Sequence, residues 1–263
     1  AYQRYPNRVA LFVAENTSCA SYCVHCQRAK SLDCTVEVSS TEINKGLFYI
    51  SRNRNINEVL VTGGDALMIS KHRLQYVLEE LSRMHHLRAI RIATRVPVVL
   101  PMAITHELLE MIKVSSNRYN TGYEKYIYFM THINHYHEVT ETLAIAVKKI
   151  LHHGFTIRNQ TVLLNHVNDY FKTLAETFRR MFWIGIHPYY LLQCHKERGI
   201  VQIEGNRILC LYDVHVPYHD VKALHCAINE GVRRKCDTIF LGGDIVDAYE
   251  ISRFEKSKFK RSW

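Results

Sequence analysis

Through the first 200 residues, short apolar runs alternate with longer amphipathic segments, and this rhythm constrains the fold more than any other feature. Strands are expected at Arg8–Ala14, Glu58–Thr62, Ala89–Ala93, Tyr126–Thr131, Thr156–Leu164 and Gly185–Leu192. Helices are expected at Ser40–Ser51, Lys71–Met84, His106–Val114, Thr140–His152 and Phe171–Met181. Ser40, with Asn44 following, and Thr105, just before His106-Glu107, read as helix N-caps. Strand–helix alternation of this kind predicts an α/β fold with a parallel sheet covered by helices. The polar stretch Ser115–Lys125 reads as an inserted surface loop.

Between the first strand and the first helix lies Thr17-Ser-Cys-Ala-Ser-Tyr-Cys-Val-His-Cys-Gln-Arg28, which sets Cys19, Cys23 and Cys26 at spacings of four and three. A loop so spaced can turn three thiolates toward one thiophilic centre. A structural zinc site closes with four protein ligands, and an iron–sulfur cluster ordinarily takes four cysteines. A cluster held by three leaves one iron open to a ligand that is not protein. Two other readings stay open: buried apolar cysteines, or three of four zinc ligands with Cys34 or His25 as the fourth. The Cys-x-x-x-Cys-x-x-Cys pattern resembles that of the radical S-adenosylmethionine enzymes. In that family the open iron chelates the methionine end of S-adenosylmethionine and cleaves it reductively to a carbon radical.

Thr62-Gly63-Gly64-Asp65 closes the second expected strand. Its glycines allow close backbone approach to a ligand and its acid can receive an ammonium group, although a lone Gly-Gly-Asp is also an ordinary turn. The motifs that follow one another are Arg4-Tyr-Pro-Asn-Arg8, the cysteine loop, Thr62–Ala66, Ile92-Ala-Thr-Arg-Val-Pro97, Thr131-His-Ile-Asn-His135, Asn159-Gln-Thr-Val-Leu-Leu164 and His187-Pro-Tyr-Tyr190 with Gln193-Cys194. Together they resemble the lysine aminomutase family over roughly residues 1–200. The resemblance implies a partial (β/α)6 radical S-adenosylmethionine barrel, with its chemistry at the C-terminal ends of the strands. It also implies a [4Fe-4S] cluster on Cys19, Cys23 and Cys26, and S-adenosylmethionine met by Gly63, Gly64 and Asp65 with His132 nearby. Pyridoxal phosphate would be gripped by Arg4, Arg8 and Gln160, a choice that suits guanidinium forks on a phosphate. Arg28 would take the substrate carboxylate. The implied partners are a small amino-acid substrate and a reductant such as flavodoxin or ferredoxin, with homo-oligomerisation left open.

Departures from the family narrow this. Val24 stands where aminomutases commonly carry Arg, and Gln27 differs too. His195, in the substrate pocket by analogy, replaces the acid that receives the distant ammonium of lysine, and imidazole partners a cation poorly; a substrate other than lysine is expected. Nothing in residues 201–263 resembles the Gly-rich segment bearing the pyridoxal-binding lysine, so the covalent anchor of that cofactor is missing. The region preceding the barrel is missing too, and a chain opening on Ala1 reads as truncated.

Near residue 203 the pattern restarts, dividing the chain into expected domains 1–202 and 203–263. Arg207–Asp213 and Thr238–Leu241 read as strands around a helix at Val221–Arg233. Leu209-Cys-Leu-Tyr-Asp213-Val-His215 and Leu241-Gly-Gly-Asp244-Ile-Val-Asp247 resemble the opening of a calcineurin-like metallophosphoesterase sandwich. That resemblance implies a di-metal site of manganese, iron or zinc on Asp213, His215 and Asp244; strand-end acids with a capping His are the plainer reading. The later metal motifs of that family are absent.

Composition sets outer bounds. No apolar run is long enough for a membrane helix and no signal peptide is visible. Eight cysteines, three of them clustered, suggest a cytoplasmic protein with a metal site rather than a disulfide scaffold. The net charge of +9, concentrated mildly over Arg253 to Arg261, fits anionic ligands or a basic solvated surface. The competing functions are a metal-dependent phosphoesterase, expected to be truncated and inactive, and a non-catalytic zinc module. Radical modification of nucleic acid is set behind a small amino-acid substrate, because the ordered motifs point to the latter.

Overall fold

The computed structural model describes residues 1–14, 18–26, 38–117, 119, 124–193, 208–212, 221–234 and 238–242. The chain forms two units, Ala1–Gln202 and Ile203–Trp263. In the first, seven strands pair in sequence order: β1 (Tyr2–Tyr5), β2 (Arg8–Phe12), β3 (Glu58–Thr62), β4 (Ala89–Ala93), β5 (Tyr126–Thr131), β6 (Thr156–Leu163) and β7 (Ile186–Gln193). β1 is antiparallel to β2, and every later pairing is parallel. The helices between them are α1 (Ser40–Arg52), α2 (Lys71–Ser82), the single turn α3 (Val96–Val99), α4 (His106–Ser116), α5 (Glu141–His152) and α6 (Phe171–Trp183). Strictly sequential parallel order means that each crossover advances the sheet the same way, so the helices collect on one face.

Strand register shows which face. Val9, Val59, Ile90 and Ile127 align in one row, and Leu11, Val61, Ile92, Phe129 and Ile157 in the next. All are buried, in one cluster with Ile43, Leu47 and Ile50 of α1, Leu74, Val77, Leu78 and Leu81 of α2, Leu109 and Ile112 of α4, and Leu143, Val147 and Ile150 of α5. The i, i+3/i+4, i+7 spacing of these helical residues is what lets an amphipathic helix seat on β-branched rows. The opposite face carries Arg8, Glu58, Leu60, Arg91 and Gln160. With Tyr190 and Leu192 of β7 they line one cavity of about 340 Å³. Residues of β2 and β7 meet around that cavity, so the sheet is curled into a partial barrel.

The six parallel strands and five long helices lie where the periodicity puts them, within a few residues. Three local expectations need correction. The N-cap of α1 is Ser39, whose side chain accepts from Glu42 N, and Ser40 is the first helical residue; Thr105 does cap α4. Ser115 and Ser116 are the buried last residues of α4 rather than loop. Lys125 is buried as well, its Nζ donating to Ser82 O at 2.8 Å. β1 was not foreseen; Pro6-Asn7 turns it back on β2, and Asn7 O accepts from Asn57 N and Glu58 N, fixing the hairpin to the start of β3.

The second unit contains β8 (Ile208–Tyr212), α7 (Val221–Arg233) and β9 (Thr238–Gly242), with β8 and β9 parallel from Ile208↔Thr238 to Tyr212↔Gly242. No helix among the described residues is long and apolar enough to cross a membrane.

Candidate functional site

The loops after β2, β3, β4 and β5 leave the sheet at its C-terminal edge, and there the chemistry-bearing residues gather. After β2 the cysteine loop turns twice. Tyr22 takes a left-handed φ of 38°, and Cys26 N donates to Cys23 O at 3.0 Å. Ser21 Oγ lies 3.8 Å from Cys19 Sγ and 3.4 Å from Cys23 Sγ. All three cysteines are free and half-buried. No group of three His, Cys, Asp or Glu among the described residues is drawn tight enough for a single metal ion. One ion would need its sulfurs about 2.3 Å away, hence nearly touching one another. A multi-iron cluster instead takes each cysteine on a different iron.

The Gly-Gly-Asp turn after β3 packs directly under this loop. Asp65 N donates to Ser18 O at 2.8 Å. A Cβ on Gly63 would fall 2.4 Å from Ala14 O and 2.6 Å from Ala14 N, so only glycine admits this approach of two backbones. Asp65 is buried at 3% exposure, and its carboxylate accepts from Leu67 N at 3.0 Å and Arg95 N at 2.7 Å. Burial raises its pKa, against the hydrogen bonds from Thr94 and the backbone. The carboxylate thus ties the β3 turn to the β4 turn instead of standing free.

Arg95, directly after β4, links the parts. Its Nη1 donates to Cys23 Sγ at 2.8 Å, its Nε to His132 O at 3.1 Å, and its Nη2 to Glu138 Oε2. Burial opposes its charge, but Cys23 and Glu138 hold its pKa above the ordinary value. Glu138 Oε1 is taken by the N–H groups of Asn134 and His135. His132, after β5, contacts Gln160 O through Nδ1 at 2.7 Å and lies beside the tilted ring of His25, with centroids 5.5 Å apart. Both imidazoles are pushed down to about 4, chiefly by burial, with the second largest influence Arg95 for His25 and His25 for His132. His25 Nδ1 is buried without a hydrogen-bond partner among the described residues.

A buried polar ladder holds the β5 loop to β6. Asn159, fully buried, donates to Ile133 O at 2.9 Å and to Thr161 Oγ1 at 2.7 Å and accepts from Ile133 N at 2.6 Å. Asn134 accepts from Val162 N at 2.8 Å, and Asn168 bridges Asn134 O and Val162 O. Beside this ladder the register between β6 and β7 slips, with Asn159 facing Pro188 and Gln160 facing Tyr190. Pro188 cannot donate, and a bulge is where a strand accommodates it.

Deeper in the barrel, Arg4, Arg8 and Gln160 line the cavity already described, with Glu58 and Arg91. Glu58 receives Arg91 Nε and, at 2.5 Å, the Tyr128 hydroxyl. Arg8 Nε lies 2.8 Å from Glu58 Oε2, but its N–H is turned away and makes no hydrogen bond, so this contact is Coulombic. Burial works to raise the Glu58 pKa, yet Arg91, Tyr128 and Arg8 hold it below the usual value. Arg158 lies over the rings of Tyr128 and Tyr189. Three arginines facing a single carboxylate leave the cavity an excess of positive charge.

The structure therefore gathers Cys19, Cys23, Cys26, Gly63, Gly64, Asp65 and His132 at one edge, and Arg4, Arg8 and Gln160 around one cavity. Arg28 and His195, with Gln27 and Cys34, lie outside the described residues, as do Asp213, His215 and Asp244. Arg95 and Glu138 were not singled out from sequence. The available signal was the position of Arg95 just beyond a strand's C-terminal end.

No family model matches the chain. Over 198 residues, 75% of the chain, it is 38% identical to the L-lysine 2,3-aminomutase of Methanococcus maripaludis, covering 43% of that protein. It is 36% identical over 198 residues to the L-lysine 2,3-aminomutase of Acetoanaerobium sticklandii, covering 45% of it. The chain spans about half the length, or somewhat less, of these curated relatives. Among solved structures, Streptococcus suis SuiB bound to S-adenosylmethionine aligns with a TM-score of 0.47 at 12% identity, over 90% of this chain and 49% of that one.

Proposed function

We propose that residues 1–202 are a radical S-adenosylmethionine domain of the lysine-aminomutase type, acting on a small amino acid. The observation that carries this is the meeting of the three-cysteine loop with the Gly-Gly-Asp turn and Arg95 at the C-terminal edge of a partial barrel. The similarity to L-lysine 2,3-aminomutases supports it independently. Cys19, Cys23 and Cys26 would hold a [4Fe-4S] cluster. When bound, the cluster and S-adenosylmethionine supply a one-electron cleavage that yields a hydrogen-abstracting carbon radical. The turn Gly63–Asp65 would meet the amino group of S-adenosylmethionine through its backbone, since the Asp65 carboxylate is already occupied. His132, neutral at physiological pH because burial holds its pKa to about 4, would offer a polar but uncharged wall.

The cavity suits a dianion. Arg4, Arg8 and Gln160 all line it, and they would grip the phosphate of pyridoxal phosphate. Arg28 would bind the substrate carboxylate, and His195 would face the substrate side chain. The reductant, the oligomeric state and a cytoplasmic location belong to the same reading. The test is anaerobic incubation of the reconstituted protein with reductant, S-adenosylmethionine and a panel of amino acids, following both isomerised amino acid and methionine release. Either product, dependent on an amino acid and lost in Cys23→Ala, supports the reading. An iron-loaded protein that yields neither refutes it.

For residues 203–263 we keep the metallophosphoesterase-like reading, favoured by one observation. Asp213 follows β8 and Asp244 follows β9 by one and two positions, and the two strands are parallel neighbours. Manganese-dependent phosphatase activity lost in Asp244→Ala would support it; metal binding unchanged by Asp244→Ala would refute it.

A further inference from the structure

The cluster reading leaves Arg95 without a role, although it touches more of the site than any cysteine does. Its guanidinium reaches Cys23 Sγ at 2.8 Å while its main chain binds Asp65, its Nε binds the β5 loop at His132 O, and its far nitrogen pairs with Glu138. The side chain is 15% exposed, so this charge is only partly screened by water. Glu138 is itself fixed by two backbone N–H groups. The result is a cation clamped between one cysteine sulfur and one carboxylate, held from three strand ends.

We propose that Arg95 is a positioning residue for the cysteine loop that also sets the reduction potential of the cluster, with Glu138 tempering its charge. The proposal rests on the cluster reading above. Hydrogen bonds to cluster sulfurs and nearby charge are among the protein's means of tuning such potentials. A cation at a thiolate ligand stabilises the more negative, reduced state. Losing it should make reduction harder; losing the opposing carboxylate should make it easier. The site does not need Arg95 as a ligand, and it does not react.

The experiment uses the full chain as wild type, Arg95→Lys, Arg95→Met and Glu138→Gln, each reconstituted anaerobically with iron and sulfide. Iron is counted, and the midpoint potential is read by spectroscopically monitored titration. Arg95→Met should lower the reduced-to-oxidised ratio at a fixed potential about tenfold, which is about 59 mV for a one-electron couple. Arg95→Lys should recover part of this by keeping the charge, and Glu138→Gln should shift the potential upward. A purely structural role would change iron content without moving the potential of the clusters that form. The proposal is overturned if wild type carries its cluster and both Arg95→Met and Glu138→Gln titrate like it. Should Arg95→Met take up no iron, an unmoved potential in Glu138→Gln overturns it alone. A wild type that takes up no iron fails the cluster reading instead, and this proposal with it.

Discussion

Replacing Asn159 by alanine should unfasten the β5 loop from β6 more than any other single change near the site. Asn159 is 0% exposed and makes three hydrogen bonds, to Ile133 O, Ile133 N and Thr161 Oγ1. Each such bond contributes about 1 kcal/mol net, and a buried donor left unpaired costs about 1–3 kcal/mol. Ile133 O keeps Thr161 Oγ1 at 3.1 Å, so Ile133 N is the group the alanine strands. The sum is about 4–6 kcal/mol of destabilisation. Thr161→Val, which exchanges the hydroxyl for a methyl and removes its bonds with Asn159 Nδ2 and Ile133 O, should cost about 2 kcal/mol. The assay is urea unfolding of the metal-free protein followed by far-UV circular dichroism, with the midpoint read at unchanged slope. A loss under about 1 kcal/mol for Asn159→Ala would mean that water or a backbone shift replaces these bonds, and the ladder would not be what positions His132.

Glu58→Gln leaves Arg91, with a side chain 10% exposed, and Arg8 facing a neutral partner. Breaking a fully buried pair costs about 3–5 kcal/mol, and the cavity's access to water should reduce this to about 2–3, a drop of several degrees in melting temperature by calorimetry. Gly63→Ala forces a Cβ against Ala14 O at 2.4 Å, and backbone cannot rotate away as a side chain can. Soluble yield and iron uptake should both fall sharply, whereas Gly154→Ala, with nothing within 4 Å, should suffer only its φ of +84°. The His132 pKa is depressed, so the neutral form is favoured in the folded state. Its contribution is whole above the usual value of 6.5 and is lost as pH falls from 6.5 toward about 4. The metal-free protein should lose up to about 3 kcal/mol across that window, and His132→Gln should flatten the curve of melting temperature against pH.

The barrel was legible because its strands are β-branched runs of ordinary length and its helices keep a single apolar stripe. β1 was not, because Tyr2-Gln3-Arg4-Tyr5 has no apolar alternation and exposes both tyrosines on an edge. Serines at the end of α4 read as loop because their type favours turns, yet Ser115 and Ser116 are buried by tertiary packing that no local window contains. At the site, the cysteine spacing and the glycine pair announce themselves within a dozen residues. The Arg95 network does not, since its partners Cys23, His132 and Glu138 lie 72, 37 and 43 positions away. The acidic residue of the Gly-Gly-Asp turn shows the converse. Its type suggests a ligand for an ammonium group, and the fold adds what the turn alone does not show, a carboxylate that accepts from Leu67 N and Arg95 N.

The central claim is that Cys19, Cys23 and Cys26 carry an iron–sulfur cluster. Anaerobic reconstitution with iron and sulfide, followed by metal analysis and an absorption spectrum, tests it directly. A brown protein with about four irons per chain, colourless when Cys23 is replaced by alanine, is the predicted result. A colourless wild type, or iron uptake indifferent to Cys23, would contradict the account.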